Sequence, residues 1–323
     1  MSLKLTEIVC CEITNICPIY CVMCPHGNNL LNNRGLMDEK TFKKVVDEIC
    51  LWEPKPILAI YSIGEPLVHP LCFEFIRYAK SKKLMTSAAT SGFSLDKEKA
   101  IELAESGMDE IRFSFEGESP ELYEKIRRGS NYNRVLENIQ YFLNILAKRD
   151  IKMVTDILVI KHSKGESLDV SSEFKSLFNS IYDVNFYSYY PTNWRNTIKK
   201  VFLDFTEKHA PIKKVCKKFY HVTVRFDGSI VYCDLDYNSE FSDFHIGNTS
   251  LMEFINSTER NEIINKMKEG RWAEIPFCKE CSAPYTVLNR ERLYETNASK
   301  DYLQESLQTM RYRKAQGQTP IID

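Results

Sequence analysis

The chain has 323 residues, 43% of them hydrophobic, with 43 basic and 44 acidic side chains and a formal net charge of −1. That length suits one large domain and one small one, and the balanced charge excludes a broad basic field for nucleic acid. There is no apolar run of 18 residues and no secretory leader, so a soluble, cytoplasmic protein without a membrane partner is expected.

Strand-like and helix-like segments alternate along the chain. Strands are expected at 5–13, 57–63, 84–89, 110–115, 151–160 and 182–189. Between them the pattern predicts helices at 38–52, 70–82, 96–106, 119–127 with 132–149, and 166–180. Asp38 and Asp96 stand as N-caps, and Gly107 closes a helix before the fourth strand. Six β-α units imply a parallel sheet with right-handed crossovers. The expected fold class is α/β: a partial (β/α)6 TIM-like barrel, because the pattern breaks near residue 195, followed by a small α+β domain. In that small domain, 221–226 and 229–233 read as a hairpin around Asp227-Gly228, with helices at 250–256 and 258–269. The expected boundaries are 1–205 for the barrel, 206–290 for the small domain and 291–323 for a C-terminal helix and flexible tail.

Eleven cysteines are too few for a disulfide framework in a chain this long and suit metal binding or catalysis. Cys10, Cys11, Cys50 and Cys72 lie in apolar segments and read as core. Cys17, Cys21 and Cys24 form C-x3-C-x2-C on a loop after the first strand. Three thiolates hold three irons of a [4Fe–4S] cube and leave the fourth open to a ligand; a zinc knuckle is the competing reading. Gly64-Glu65-Pro66 follows the second strand, Thr90-Ser91-Gly92 the third, and Ser114-Phe115-Glu116-Gly117 the fourth, all at the strand ends where parallel barrels gather function.

With these motifs the chain resembles the radical S-adenosylmethionine (AdoMet) enzymes over roughly residues 5–285. The resemblance implies that Cys17, Cys21 and Cys24 hold a cluster whose open iron chelates AdoMet. It implies contacts from Gly64, Glu65 and Pro66 to the AdoMet amino group, with the Glu65 carboxylate meeting the ammonium. It places Thr90 near the ribose, Ser114 at the cofactor, Arg127 on the carboxylate, and Met23 as an apolar wall by the adenine. The pattern departs from the family at Met23, usually aromatic, at Ile63, usually glycine, and at Ser91, usually asparagine.

Cys216, Cys233, Cys278 and Cys281 form a second set, C-x16-C-x44-C-x2-C, with Gly228 giving G-x4-C on the hairpin. This is similar to the auxiliary-cluster domains called SPASM and twitch. Ser282-Ala283-Pro284-Tyr285 follows Cys281 and no later cysteine occurs. The resemblance therefore implies the twitch version with one auxiliary [4Fe–4S] cluster, as in the butirosin-pathway aminocyclitol dehydrogenase, and two clusters in all. A structural zinc on four thiolates is the alternative. Asp234 follows Cys233, at the place where anaerobic sulfatase-maturating enzymes carry a proposed base. Burial and a nearby anionic cluster are expected to raise its pKa.

The expected function is radical AdoMet chemistry, with two-electron oxidation of a secondary alcohol on a sugar- or aminocyclitol-like small molecule favoured. A flavodoxin- or ferredoxin-type reductant is the expected partner. A peptide substrate ranks next, weakened by the 16 residues before Cys17, too few for a leader-binding domain. Epimerisation, dehydration, decarboxylation, a glycyl-radical activase role and a non-catalytic iron–sulfur or zinc scaffold stay open. Phe186, Tyr187, Tyr189, Tyr190 and Trp194 are read as core and loop cover or as a substrate face, and His26 and His69 as supporting residues.

Overall fold

The chain begins with β1 (Ile8–Cys11), β2 (Tyr20–Cys21), α1 (Glu39–Ile49), β3 (Ile57–Ile60) and α2 (Cys72–Ser81). It continues through β4 (Met85–Thr90), α3 (Lys97–Glu105), β5 (Glu110–Ser114), α4 (Pro120–Ile126), β6 (Arg127–Arg128) and α5 (Tyr132–Lys148). Then come β7 (Val154–Ile160), α6 (Ser172–Asn179), β8 (Asn185–Tyr189), β9 (His221–Val224), β10 (Ile230–Val231), α7 (Leu251–Asn256) and α8 (Thr258–Lys268). The computed structural model describes residues 8–115, 119–161, 169–189, 192, 194–195, 197–198 and 215–281. The expected C-terminal helix and tail, Tyr190, Glu116-Gly117 and the start of the first strand lie outside the described residues.

Local chemistry sets the helix starts. The Asp38 carboxylate accepts from the Thr41 backbone N–H at 2.8 Å, and Asp96 from Lys99 at 2.9 Å, each satisfying an orphan donor of the first turn. Ser250 and Glu253 make a reciprocal capping box at α7. Gly107 follows α3 with φ +78°, a left-handed turn that glycine adopts without Cβ strain.

Six strands, β1, β3, β4, β5, β7 and β8, pair in parallel in that order, with a helical connection between each successive pair. They match the expected partial (β/α)6 arrangement. Alternate residues such as Val9, Leu58, Ile111, Phe113, Ile157 and Val159 face the helices and are buried there. Phe42 of α1 stacks on Phe75 of α2 at 4.1 Å, and Phe113 meets Phe142 of α5 edge-on at 5.8 Å. Each such buried ring contributes about 1.5–3 kcal/mol relative to an exposed one.

Two features were not expected. The hairpin is not a separate sheet: β9 pairs in parallel with β1, from Ile8 opposite His221 to Cys11 opposite Val224, while β10 pairs antiparallel with β9. The result is one sheet of eight strands in the order β10-β9-β1-β3-β4-β5-β7-β8. Separately, β2 pairs antiparallel with β6, setting Cys21 opposite Arg127 and Tyr20 opposite Arg128. Among the described residues no helix is long and apolar enough to cross a membrane.

The face of the sheet away from the helices is polar. Glu110, Arg112 and Ser114 alternate with the buried residues of β5. Asp156 on β7 accepts from Asn185 of β8 at 2.9 Å. Arg112 holds Glu110 at 2.7 Å and stands 3.7 Å from Asp156. Burial and then the Glu110 charge push the Asp156 carboxyl up, whereas Arg112 outweighs burial and holds Glu110 below its usual range. Arg112 is also electrostatically coupled to His221 on β9, four strands away in the sheet. The sheet therefore curls, and its concave face is lined by charge.

Candidate functional site

The first cysteine loop is braced from several sides. Glu65 N–H donates to Ile16 C=O at 2.9 Å, joining the Gly64-Glu65-Pro66 turn to the loop. Gly64 lies against the backbone of Thr14 and Asn15. A Cβ there would stand 2.2 Å from the Thr14 carbonyl oxygen, a contact backbone cannot relieve by rotation. Gly64→Ala is expected to cost about 2 kcal/mol by overpacking and to lower the melting midpoint by about 4–8 °C. A thermal melt checks it.

Cys17 and Cys24 are half-buried, and Cys21 is buried. Electrostatic coupling links Cys17 to both Cys21 and Cys24, so the three thiols share one locality. Burial pushes the Cys24 thiol up to about 12, with the Cys21 charge adding to it. Burial likewise raises Cys17, followed by the Glu65 charge. Such thiols stay protonated at neutral pH until a cation displaces the proton. Arg127 Nη1 lies 3.4 Å from Cys21 Sγ, carried there by the β2–β6 pair. The arginine thus touches a cluster-loop sulfur, a contact that its expected role at the AdoMet carboxylate did not include.

Met23 packs with Ile19, Cys21, Ile126 and Ile160 in a small apolar group, with Phe93 against it. Phe93 and Ile160 join Met23 in this group and were not singled out from the sequence. His26 is 2% exposed and stacks on Tyr20 at 5.4 Å. His69 is committed structurally: its Nε2 meets Met37 C=O at 3.0 Å, and its Nδ1 accepts from Leu71 N–H at 3.0 Å.

Glu65 departs from expectation. Its Oε1 accepts from Thr90 Oγ1 at 2.7 Å and Leu67 N–H at 3.3 Å. Its Oε2 accepts from Ser91 N–H at 2.8 Å and Ser91 Oγ at 2.6 Å. A carboxylate has about four lone-pair sites, and here all four are filled by protein donors. The Thr90 hydroxyl, which donates to Glu65, also accepts from Gly92 N–H at 3.0 Å and keeps one acceptor lone pair. In this arrangement the Glu65 carboxylate is fully engaged by protein donors. These bonds bolt the turn after β3 to the turn after β4. Ser114 stands half-buried at the end of β5, one residue beyond the Phe113 that pairs with Thr90. Pro66 opens the short helical turn Pro66–Val68.

The second set also comes together. Cys233, Cys278 and Cys281 are buried and Cys216 is half-buried. The Cys233 thiol is coupled to Cys216 and Cys281, and Cys278 to Cys281 and Cys216. Burial raises Cys216, Cys233 and Cys278. Among the described residues no three His, Cys, Asp or Glu side chains stand close enough to hold one metal ion. A four-iron cube takes its four thiolates on separate irons. The donor chemistry of both sets suits such clusters: three thiols at the first, four at the second, held by backbone brought close at glycine and hairpin turns.

Asp234 also departs from expectation. Lys218 Nζ lies 2.9 and 2.6 Å from its two carboxylate oxygens. Burial pushes Asp234 up, but the Lys218 charge and hydrogen bonds outweigh it and hold the carboxyl below its usual range. The sequence reading named burial and an anionic cluster as the influences on Asp234 and did not foresee the Lys218 cation. The same burial pushes His221 down to about 4, with Lys218 and Arg112 adding to the shift against Asp234, so the imidazole is neutral. Lys218 and His221 are functional candidates that the sequence reading passed over. The signal was a lysine two residues beyond Cys216.

Residues 11–170 match the family model "Radical SAM superfamily", and residues 216–282 match "Iron-sulfur cluster-binding domain", the SPASM model. The chain is 32% identical over 105 residues to the tungsten-containing aldehyde ferredoxin oxidoreductase cofactor-modifying protein of Pyrococcus furiosus, covering 32% of this chain and 29% of that protein. It is 28% identical over 181 residues to the AdoMet-dependent heme synthase of Methanosarcina barkeri, covering 56% of this chain and 50% of that one. It thus spans half or less of these curated relatives. Its backbone superposes on the crystal structure of BtrN in complex with AdoMet and 2-DOIA with a TM-score of 0.60 at 15% identity, covering 86% of this chain and 93% of that one.

Proposed function

Since the chain belongs to the radical S-adenosylmethionine superfamily and carries a SPASM-type iron–sulfur cluster-binding domain, we propose that it oxidises a secondary alcohol of a sugar- or aminocyclitol-like small molecule by two electrons. Its cofactors are AdoMet and [4Fe–4S] clusters, which when bound supply a 5′-deoxyadenosyl radical to take hydrogen from carbon and a second centre to accept an electron. Cys17, Cys21 and Cys24 would hold the first cluster, and Cys216, Cys233, Cys278 and Cys281 the second. Gly64, Glu65, Thr90, Ser114, Arg127 and Met23 shape the AdoMet pocket in this reading, with Glu65 and Thr90 as internal braces. A flavodoxin- or ferredoxin-type protein supplies the reducing electron.

The observation that carries the reading is the placement of Asp234. It follows Cys233, couples to His221 on the concave face, and is held ionised by Lys218. In this reading the Asp234 carboxylate would take the hydroxyl proton; with the hydrogen atom and the electron taken up by the two cofactors when bound, that proton completes the balance for oxidation of the alcohol to a carbonyl. Lys218 keeps the carboxylate ionised and aimed. The polar lining of Arg112, His221 and Asn185 suits a hydroxyl-rich substrate.

Asp234→Asn is expected to lower carbonyl formation by about 10²–10⁴-fold, the range of a lost general base. 5′-Deoxyadenosine release should persist, because the first cysteine set is untouched. Product and 5′-deoxyadenosine assayed together against polyol and aminocyclitol substrates check this. Unchanged carbonyl formation in the variant would remove Asp234 from the mechanism. Turnover of peptides but of no small alcohol would replace the substrate class.

A further inference from the structure

Lys218 sits on the short helical turn Lys217–Tyr220, immediately after Cys216. Its ammonium meets Asp234 at 2.6 and 2.9 Å, and Asp234 Oδ1 in turn lies 3.6 Å from Cys233 Sγ. The same ammonium is within electrostatic reach of Cys233 and Cys216. An anion in contact with one second-set sulfur is therefore paired with a cation that acts electrostatically on two of them. Both keep about a quarter of their side-chain surface, 28% and 26%, so neither is sealed into the core as a packing element.

We propose that Lys218 and Asp234 form a charge pair that sets the reduction potential of the auxiliary cluster, Lys218 favouring the reduced state and Asp234 opposing it. The proposal rests on the reading of Cys216, Cys233, Cys278 and Cys281 as cluster ligands. Four thiolates make such a centre anionic, and reduction adds one more negative charge. A nearby cation stabilises that added charge, and a nearby anion destabilises it. While paired, the two nearly cancel. Removing either one exposes the cluster to the other, so the two single variants must shift the potential in opposite directions. A brace that only held the loop in shape would give no such opposition of sign.

The test uses the full chain with Cys17, Cys21 and Cys24 replaced by alanine, so that only the second cluster titrates. The protein is reconstituted with iron and sulfide under anaerobic conditions, and the reduced cluster is followed by electron paramagnetic resonance during a potentiometric titration at pH 8. Lys218→Met is expected to lower the ratio of reduced to oxidised cluster about tenfold at fixed potential, a shift of about 59 mV for one electron. Asp234→Asn is expected to raise it by a similar factor, and Lys218→Arg to stay within about threefold of the parent. Shifts of the same sign, or none beyond about twofold at full iron content, overturn the proposal and leave the cluster site standing. A chain that takes up no cluster on these four cysteines overturns both.

Discussion

Replacing Cys17, Cys21 and Cys24 together with alanine is expected to abolish 5′-deoxyadenosine formation and to lower reconstituted iron from about eight to about four per chain. The three thiols are coupled to one another and separate from the second set, whose four cysteines lie beyond residue 215. One set can therefore be emptied while the other stays loaded. Burial keeps the Cys17 and Cys24 thiols protonated without a metal. Iron and sulfide analysis, with 5′-deoxyadenosine assayed after AdoMet and dithionite, decides it. Persistent cleavage in the triple variant would break the assignment of the first site. A fall to no iron at all would make the second set a zinc or empty site and remove the electron acceptor from the proposed oxidation.

Glu65 carries the second large effect. Glu65→Ala would strip acceptors from the N–H groups of Leu67 and Ser91 and from the hydroxyls of Thr90 and Ser91. The hydroxyls can turn to other partners, but the two backbone donors cannot. Each orphaned buried donor costs about 1–3 kcal/mol, so the variant is expected to lose about 3–5 kcal/mol and to melt about 10 °C lower. AdoMet affinity should fall about tenfold or more as the turns after β3 and β4 come apart. Glu65→Gln separates two roles. Its carbonyl oxygen can still serve both Ser91 donors and its amide group can donate to the Thr90 hydroxyl, but Leu67 N–H loses its acceptor. A positioning role therefore predicts a loss of about 1–3 kcal/mol, smaller than for alanine, with AdoMet affinity near that of the parent. A direct charge contact with the AdoMet ammonium predicts the same partial stability with lost affinity. Calorimetric binding and a thermal melt on the two variants distinguish these outcomes.

Much of the barrel was legible in the sequence because its signals are local. Apolar runs of strand length, Asp38 and Asp96 as caps, and Gly107 as a stop each depend on a few neighbouring residues, and the six parallel strands and their helices fall within a residue of the expected spans, β4 ending at Thr90 rather than 89. Both cysteine sets were legible for the same reason. The spacing of a metal motif is a property of the chain, and the curated family models match over the same stretches. The alternation on β5 is local as well, but it holds no sign that Arg112 would couple to His221 four strands away.

What only the tertiary structure decided are pairings between distant segments. Nothing in residues 221–224 marks them for β1 rather than a sheet of their own, because a parallel partner is chosen by long-range packing. The β2–β6 pair, two residues on each side, is too short to show a period, yet it delivers Arg127 to Cys21. Asp234 stands beside Cys233 in the sequence, and its neighbourhood suggested a raised pKa. The cation that lowers it lies sixteen residues earlier, across a turn that the fold closes. Glu65 belongs to a recognisable motif, but its partners Thr90 and Ser91 come from the next β-α unit. Residue type and spacing determined which chemistry this chain carries. The direction of each charge and hydrogen bond was decided in the fold, because electrostatics acts through space and not along the chain.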